Sequence, residues 1–248
     1  MRNIKLCIIS VGNDEQSKIY MKLKKKKCEE LGIECEIISF DENISKDIII
    51  KKIDELNSNR SVTGIIVQLP LPNNYDAQEI LDSVDEKKDV DGFTTNNLGR
   101  LLIGKPLIIP ATPRGIMQIL EDNKIELEGK HSVIIGRSNI VGKPIALLLL
   151  QKNCTVTICH SKTKDLAYFT RQADILVSSV GKKNLITKDM VKEGAVVIDV
   201  GKDIDYENVK PKCSFITPPF GSVGKMTIQS LIKNLEDFKH EDSFSYYE

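Results

Sequence analysis

Residues 131–144 read His131-Ser-Val-Ile-Ile-Gly136-Arg137-Ser138-Asn-Ile-Val-Gly142-Lys-Pro144, a pattern that predicts a strand, a glycine turn and the start of a helix. A glycine turn lets the backbone approach a pyrophosphate closely, and the helix that follows presents free N–H groups and a positive dipole end to it. Ser138 stands where the usual G-x-G-x-x-G pattern has its second glycine, and the third glycine arrives late. The segment therefore predicts a dinucleotide site, with an ordinary structural turn as the alternative.

The same alternation of short apolar runs and longer amphipathic stretches extends along most of the chain in both directions. It predicts an α/β architecture with parallel strands, because strands that alternate with helices form βαβ units. The predicted strands cover residues 5–11, 34–40, 64–69, 131–135, 154–159, 174–180 and 195–200. The predicted helices cover 17–31, 45–56, 112–123, 141–151, 165–171 and 226–238, with Thr112 as an N-cap and loops around 70–74 and 88–92.

These elements predict two lobes with a cleft between them. The first is an α/β catalytic domain over residues 1–118, and the second is a Rossmann-like dinucleotide-binding domain over residues 119–225. The last helix, at about 226–240, is expected to pack back on the first domain, and the tail at 242–248 is expected to fray.

Composition narrows the class of protein further. Thirty-five basic residues balance thirty-five acidic ones, so the net charge gives no reason to expect nucleic acid or an anionic membrane as a partner. The longest aliphatic run, 145–150, is too short to span a bilayer, and no secretory leader pattern opens the sequence. Six cysteines without a C-x-x-C pair and only three histidines predict neither a metal site nor a disulfide framework, which favours a cytoplasmic location.

The end of the second strand of the dinucleotide domain distinguishes between the two nicotinamide cofactors. A site specific for NAD normally places Asp or Glu there, because a carboxylate accepts hydrogen bonds from the ribose hydroxyls. Here the strand ends in Cys159-His160-Ser161-Lys162-Thr163, which contains no carboxylate. A hydroxyl and cationic groups, together with Arg137, suit a 2′-phosphate, so the sequence predicts NADP.

Four polar residues of the first domain are candidates for the chemistry. Tyr20 and Lys24 are four apart on a predicted helix and face the same side, although a solvated basic face over 22–27 is the alternative. Gln68 ends a buried strand, where its side chain meets either a substrate or a loop backbone. Asp91 lies in a loop, either as a turn former or as an acid directed at the same site.

Segments of both domains resemble one enzyme family in their order and spacing, over nearly the whole chain. They are Val11-Gly12-Asn13-Asp14 with Ser17, Tyr20-x-x-x-Lys24-x-Lys26, Gln68-Leu-Pro70-Leu-Pro72, Lys88-Asp-Val-Asp91-Gly92-Phe93, Pro110-x-Thr112-Pro113, Gly136-Arg-Ser138-x-Ile-Val-Gly142-x-Pro144, Cys159-His-Ser161 and Ile216-Thr-Pro218. The family is that of the bifunctional methylenetetrahydrofolate dehydrogenase/methenyltetrahydrofolate cyclohydrolases. The resemblance implies hydride transfer from the methylene bridge of a folate substrate to NADP, followed by hydrolysis of the methenyl cation to the formyl compound.

The resemblance also implies a role for each candidate residue. Lys24 matches the family's catalytic lysine, which polarises the bridge or manages protons at the water step. Gln68 matches the residue that orients this lysine. Tyr20 would stack on or line the folate ring, and Asp91 would bind donor groups of the pterin. The cofactor contacts carry over to Gly136, Arg137, Ser138 and Ser161.

Three features depart from the family pattern. The chain begins almost at its first strand, whereas members of the family open with a helix. After Asp199-Val200-Gly201 the usual Ile-Asn and its loop are replaced by Lys202-Asp203-Ile204, so Lys202 stands where a nicotinamide-side contact is expected. In a loop that is expected to close over folate, the family's Pro, Gly and Pro are replaced by Phe220, Ser222 and Lys225.

These departures predict an enzyme with ordinary NADP affinity and a raised KM for folate, because the altered loop closes less readily. Apolar surface left uncovered on the first domain favours association, and we expect a homodimer through a face of the second domain. Two alternatives remain. One is a folate- or NADP-binding relic with impaired catalysis, and the other is a different two-lobed NADP oxidoreductase such as a shikimate-type dehydrogenase.

Overall fold

The computed structural model describes residues 4–219 and 221–239, which fall into two compact units. The first unit comprises the chain up to Ala111 together with the segment from Ile228 onward, and the second runs from Thr112 to Thr227. Phe220, the last residue of the helix predicted to reach 240, and the tail predicted to fray at 242–248 lie outside the described residues. Over the described part, no helix combines the length and apolarity needed to cross a membrane.

The first unit is built on a three-stranded parallel sheet. Its elements are, in chain order, β1 (Lys5–Val11), α1 (Glu15–Glu30), β2 (Glu34–Phe40), α2 (Lys46–Ser58), β3 (Gly64–Val67), α3 (Ala77–Asp82) and α4 (Thr95–Leu102). The strand order is β2-β1-β3, and Leu6 of β1 pairs with Cys35 on one side and Gly64 on the other. The central strand is buried along almost its whole length, which explains its continuous apolar run.

The second unit contains a five-stranded parallel sheet. Its elements are α5 (Ala111–Asp122), β4 (His131–Ile135), α6 (Gly142–Gln151), β5 (Thr155–Cys159), α7 (Leu166–Thr170), β6 (Ile175–Ser178), β7 (Val196–Asp199), α8 (Tyr206–Val209), β8 (Phe215–Ile216) and the start of α9 (Val223–Lys239). The strand order is β5-β4-β6-β7-β8. The direction of winding reverses at β4, and the carboxyl end of such a strand is where open α/β sheets bind their ligands.

The C-terminal helix α9 packs in the core of the first unit. Its buried apolar stripe shares one cluster with side chains of β1 and β3 and consists of Leu231, Ile232, Leu235 and Phe238. On the same helix, the side-chain amide of Asn234 donates hydrogen bonds to the carbonyl oxygens of Val90 at 2.8 Å and Ile109 at 3.0 Å. The helix therefore supports the loop that follows Val90.

The α/β class with parallel strands is confirmed, but some elements differ from the prediction. The elements α3, α4, α8 and β8 are not among those predicted from the sequence, because they are shorter than the window over which periodicity is read. The prediction of Thr112 as an N-cap is wrong, since α5 begins at Ala111 and Thr112 lies within its first turn. The strand predicted to end at residue 69 ends at Val67, so Gln68 lies just beyond it.

Candidate active site

The helix α1 carries Lys24 on its buried face. Asp14 caps the helix, because its carboxylate accepts a hydrogen bond of 2.7 Å from the backbone N–H of Ser17. The buried positions follow the helical period and are Ser17, Met21, Lys24 and Cys28. Lys24 is only 8% exposed, whereas the neighbouring Lys25 and Lys26 are exposed to solvent. The alternative of a solvated basic face therefore describes these neighbours but not Lys24.

The ammonium group of Lys24 lies between two polar partners. Its Nζ donates a hydrogen bond of 3.2 Å to Oε1 of Gln68 and lies 3.9 Å from Oδ2 of Asp91. The side chains of Lys24 and Asp91 are 9% and 14% exposed. A buried cation with a nearby carboxylate and a hydrogen-bond acceptor is electrostatically balanced, which makes its burial tolerable.

Gln68 is oriented by the backbone around it. Its own N–H donates to the carbonyl oxygen of Ile9 at 2.8 Å, which extends the pairing of β3 with β1 by one residue. Its side-chain Nε2 donates to the carbonyl oxygen of Leu69 at 2.7 Å, and Oε1 is thereby turned towards Lys24. The hydroxyl of Ser17 donates to the same Leu69 oxygen at 3.2 Å, so α1 and the segment after β3 are joined at this point.

Asp91 is placed by a buried neighbour that the sequence analysis did not single out. The carboxylate of Asp89 accepts hydrogen bonds from the backbone N–H groups of Gly92 at 2.9 Å and Thr94 at 2.8 Å, and from Nδ2 of Asn97 at 2.9 Å. These bonds close the loop around Asp91. An acid followed by a glycine three residues on is a turn signal, and it is the one feature of the sequence that indicates this role.

Burial raises the pKa of the Asp91 carboxyl. The ammonium of Lys24 opposes this effect, and the carboxylate of Asp89 adds to it. Tyr20 lies one helical turn before Lys24 on α1 and is 43% exposed. The first unit thus brings Lys24, Gln68 and Asp91 together, with Tyr20 on the adjacent turn.

The turn between β4 and α6 requires glycine at two positions. Gly136 has φ of 123°, and a Cβ atom there would lie 2.6 Å from Oγ of Ser179. A Cβ atom on Gly142 would lie 2.3 Å from the carbonyl oxygen of Gly136, a distance that no side chain allows. Both ends of the turn therefore pack against each other, which is the close helix–strand packing of a dinucleotide-binding turn.

The side chains of this turn are exposed. Arg137 and Ser138 both face solvent. The hydroxyl oxygen of Ser138 accepts hydrogen bonds from the backbone N–H groups of Val141 at 3.2 Å and Gly142 at 3.3 Å. Ser138 therefore supplies an acceptor for N–H groups at the start of α6, which the helix itself leaves without partners.

The end of β5 lies beside this turn, since the N–H of Gly136 donates to the carbonyl oxygen of Cys159 at 2.9 Å. The next residues form a tight turn in which the N–H of His160 donates to Oγ1 of Thr163 at 2.9 Å, and Ser161 is exposed within it. The first carboxylate to follow, that of Asp165, accepts from the N–H of Tyr168 at 3.1 Å and caps α7. Arg137 and Ser161 are therefore exposed beside this turn, and residues 160–164 contain no acid.

Comparison with known proteins identifies two matching family models. Residues 1–91 match the catalytic domain of tetrahydrofolate dehydrogenase/cyclohydrolase, and residues 110–242 match its NAD(P)-binding domain. A relative from Caldanaerobacter subterraneus subsp. tengcongensis, named Bifunctional protein FolD, is 48% identical over 246 residues, which cover 95% of this chain and 88% of the relative.

Solved structures give the same result. The bifunctional FolD methylenetetrahydrofolate dehydrogenase/cyclohydrolase of Campylobacter jejuni matches with a TM-score of 0.91 and 45% identity, over 96% of this chain and 88% of that one. The FolD of Trypanosoma brucei, solved with NADP cofactor and inhibitor, matches with a TM-score of 0.93 and 32% identity over the same shares. Because these matches cover nearly the whole chain, the chain belongs to the tetrahydrofolate dehydrogenase/cyclohydrolase family.

Proposed function

We propose that this enzyme oxidises methylenetetrahydrofolate with NADP to methenyltetrahydrofolate and then hydrolyses that product to formyltetrahydrofolate. The family assignment supports both activities and leaves the shikimate-type alternative without support. The observation in this chain that carries the proposal is the buried hydrogen bond of 3.2 Å between Lys24 and Gln68, beside the carboxylate of Asp91. Such an arrangement suits proton transfer next to a substrate that becomes cationic.

Each of these residues has a proposed role that its surroundings support. NADP, when bound, supplies the hydride acceptor of the first step. Lys24 donates a hydrogen bond to the reacting methylene bridge and transfers protons in the hydrolysis step. Its ammonium can do this because it is buried, held in place and shielded from bulk water. Gln68 keeps Nζ in place, since its amide is itself held by the Leu69 carbonyl. Asp91 accepts hydrogen bonds from N–H donors of the pterin, and the exposed ring of Tyr20 offers a stacking surface.

The choice of NADP over NAD rests on charge. Arg137 is exposed at the glycine turn and Ser161 is exposed just after β5, so both side chains are accessible to a 2′-phosphate. Charge-assisted hydrogen bonds from a guanidinium to a phosphate are among the strongest that exposed groups make. The absence of an acid at residues 160–164 removes the repulsion that a phosphate would otherwise meet.

We further assign folate to a domain over residues 1–118 and NADP to a domain over residues 119–225, with the C-terminal helix belonging to the first. A raised folate KM stays part of the proposal. Ser222 stands directly before α9, and its hydroxyl donates to the carbonyl oxygen of Pro218 at 3.1 Å. This bond stiffens a loop in which the family has glycine, which makes closure over a substrate harder.

The proposed assembly is a cytoplasmic homodimer formed through the second unit. Among the described residues of that unit, four large apolar side chains are exposed: Leu150 by 56%, Ile158 by 41%, Tyr168 by 57% and Val180 by 48%. Ile158 lies on β5, an edge strand of the sheet, and edge strands readily accept a neighbour. Light scattering tests this part, because a monomeric mass would remove the homodimer from the proposal.

A spectrophotometric assay tests the central proposal. Methylenetetrahydrofolate is supplied with NADP and with NAD in parallel, and the hydrolysis of methenyltetrahydrofolate is followed separately. We expect turnover in both assays and faster reduction of NADP than of NAD. Binding of NADP without turnover would support the alternative of a relic, and no reaction with folate substrates would overturn the proposal.

A further inference from the structure

The connection after β7 is short and turns sharply. Lys202 has φ of 59°, in the left-handed region, and the chain reverses there. The carboxylate of Asp199, at the end of β7, accepts from the N–H of Asp203 at 2.8 Å, and the N–H of Ile186 donates to the carbonyl oxygen of Asp203 at 3.1 Å. Both backbone groups of Asp203, its N–H and its carbonyl oxygen, are therefore held by hydrogen bonds.

The carboxylate of Asp203 is fully buried, with 0% exposure. Its Oδ2 accepts from the hydroxyl of Ser178 at 2.7 Å and the N–H of Val180 at 2.8 Å, and its Oδ1 accepts from the N–H of Lys182 at 2.6 Å. A Cβ atom on Gly201 would lie only 2.6 Å from Oδ2. All three donors belong to the segment 178–182, so this one carboxylate organises the loop that follows β6.

The same loop packs against the glycine turn. The N–H of Ser179 donates to the carbonyl oxygen of Ile135 at 2.9 Å, and the Ser179 hydroxyl oxygen is the atom that a Cβ on Gly136 would meet at 2.6 Å. A shift of the loop would therefore change the space available at Gly136. Because both segments lie at the carboxyl edge of the parallel sheet, that shift would occur where the dinucleotide binds.

We propose that Asp203 is a positioning residue for the cofactor site: its buried carboxylate holds the loop 178–182 against the glycine turn and so sets the shape of that turn. The inference rests on the proposed function, since it takes the turn as the NADP site. Asp203 acts through Ser179 and Gly136 and touches no reacting atom. The short connection at Lys202 thus serves to place Asp203 beneath the loop.

The substitution Asp203→Asn tests this inference, because it keeps the size of the side chain but turns one acceptor oxygen into a donor that faces N–H groups. We expect the Kd for NADP, measured by titration calorimetry, and the KM for NADP to rise about 10- to 100-fold. The hydrolysis of methenyltetrahydrofolate uses no cofactor and should stay within about twofold of wild type.

Asp174→Asn is the matched control. Asp174 stands immediately before β6, at the opposite edge of the same sheet, where its carboxylate accepts from the N–H of His131 at 2.9 Å and from Nζ of Lys192 at 2.5 Å. This control should lose some thermal stability while its Kd for NADP is unchanged. If Asp203→Asn does not fold, Ser178→Ala removes one of the three bonds and should show a smaller rise in the Kd for NADP.

A folded Asp203→Asn variant with the Kd of wild type would overturn the inference, and so would equal losses in NADP binding and in hydrolysis, since those indicate general destabilisation. If Asp203→Asn does not fold and Ser178→Ala keeps the wild-type Kd, the inference is also overturned. A wild-type protein that does not bind NADP would instead overturn the proposed function.

Discussion

The two candidate sites differ in whether their functional side chains are buried or exposed. In the first unit the proposed chemistry uses buried charged side chains, since Lys24 and Asp91 are 9% and 14% exposed and lie 3.9 Å apart. In the second unit the side chains that we assign to the cofactor, Arg137, Ser138 and Ser161, are exposed, and the shape of the turn comes from the backbone at two glycines.

The difference indicates how each site responds to change. Hydrogen bonds and charges in a buried cluster are strengthened by the low dielectric, so the loss of one partner is costly for both chemistry and stability. An exposed cation contributes mainly to the affinity and selectivity for the cofactor. A tight glycine turn is disrupted when a substitution adds a side chain at one of its glycines.

Removing the buried cation should have the largest effect. We expect Lys24→Ala to reduce the hydrolysis of methenyltetrahydrofolate by about 10²- to 10⁴-fold, because a positioned proton-transfer group is lost. Absorbance of the methenyl compound measures the rate. The matched control is Lys25→Ala, which changes an exposed lysine of the same helix and should leave the rate unaltered. A folded Lys24→Ala variant with near wild-type hydrolysis would contradict the assigned role.

Adding a methyl group to the glycine turn comes next. Gly142→Ala places a Cβ atom 2.3 Å from the Gly136 carbonyl oxygen, so the turn must shift. We expect NADP binding about 100-fold weaker, measured by calorimetry, with the hydrolysis of methenyltetrahydrofolate retained. Gly99→Ala in the helix α4 is the control and should change neither, because its added Cβ would meet nothing within 4 Å beyond its chain neighbours and its own helix backbone. Ordinary NADP affinity in Gly142→Ala would show that the turn is not part of the cofactor site.

Removing the exposed cation should change selectivity. Arg137→Ala should weaken NADP about 10- to 100-fold and NAD far less, because charge-assisted bonds to the 2′-phosphate are each worth about 1.5–3 kcal/mol. The ratio of kcat/KM for the two cofactors measures the effect. Lys143→Ala, whose ammonium donates to Oδ1 of Asn139 at 2.7 Å, is the control and should leave that ratio unchanged. Equal weakening of both cofactors by Arg137→Ala would remove Arg137 as the source of selectivity.

The smallest effect concerns pH. Because burial raises the pKa of Asp91, the folded protein holds this proton more tightly than the unfolded chain. The resulting stabilisation is complete below the ordinary pKa of 3.8 and is lost as the pH rises through the folded-state value.

The stability of wild type relative to Asp91→Asn should therefore fall as the pH rises from 3.8, by about 1.4 kcal/mol for each pH unit between the two pKa values, and then level off. Urea denaturation of both proteins at a series of pH values measures the difference. A difference that grows with pH would show that the Lys24 ammonium outweighs burial at this carboxyl.

Much of the fold follows from local sequence. The alternation of apolar runs and amphipathic stretches predicts the parallel α/β class, and β1, β2 and β4 begin and end at the predicted residues. The glycine turn at 136–142 is also local, since a strand, two glycines and a helix start within one short segment specify it. The short helices α3 and α4 escape prediction because elements of six or eight residues are shorter than the window over which a helix is distinguished from a loop.

The candidate site is determined only in part by sequence. The spacing of Tyr20 and Lys24 indicates one helix face, but the lysine run at 22–27 does not reveal which of its members is buried. Tertiary packing decides which lysine is buried. The helix face with Met21 and Cys28 packs against the core, and Lys24 lies on that same face.

The residues that hold the loops in place, such as Asn234 and Asp203, can be identified only from the tertiary structure. Asn234 reaches a carbonyl oxygen 144 residues earlier in the chain, and Asp203 binds a loop that precedes it by more than twenty residues. No local pattern encodes such contacts, because they depend on which segments the packed core brings together. The sequence by itself therefore determined the class, the turn and the candidate residues. Which lysine is buried, and which acids hold the loops, was decided by packing, since burial is a property of the assembled fold.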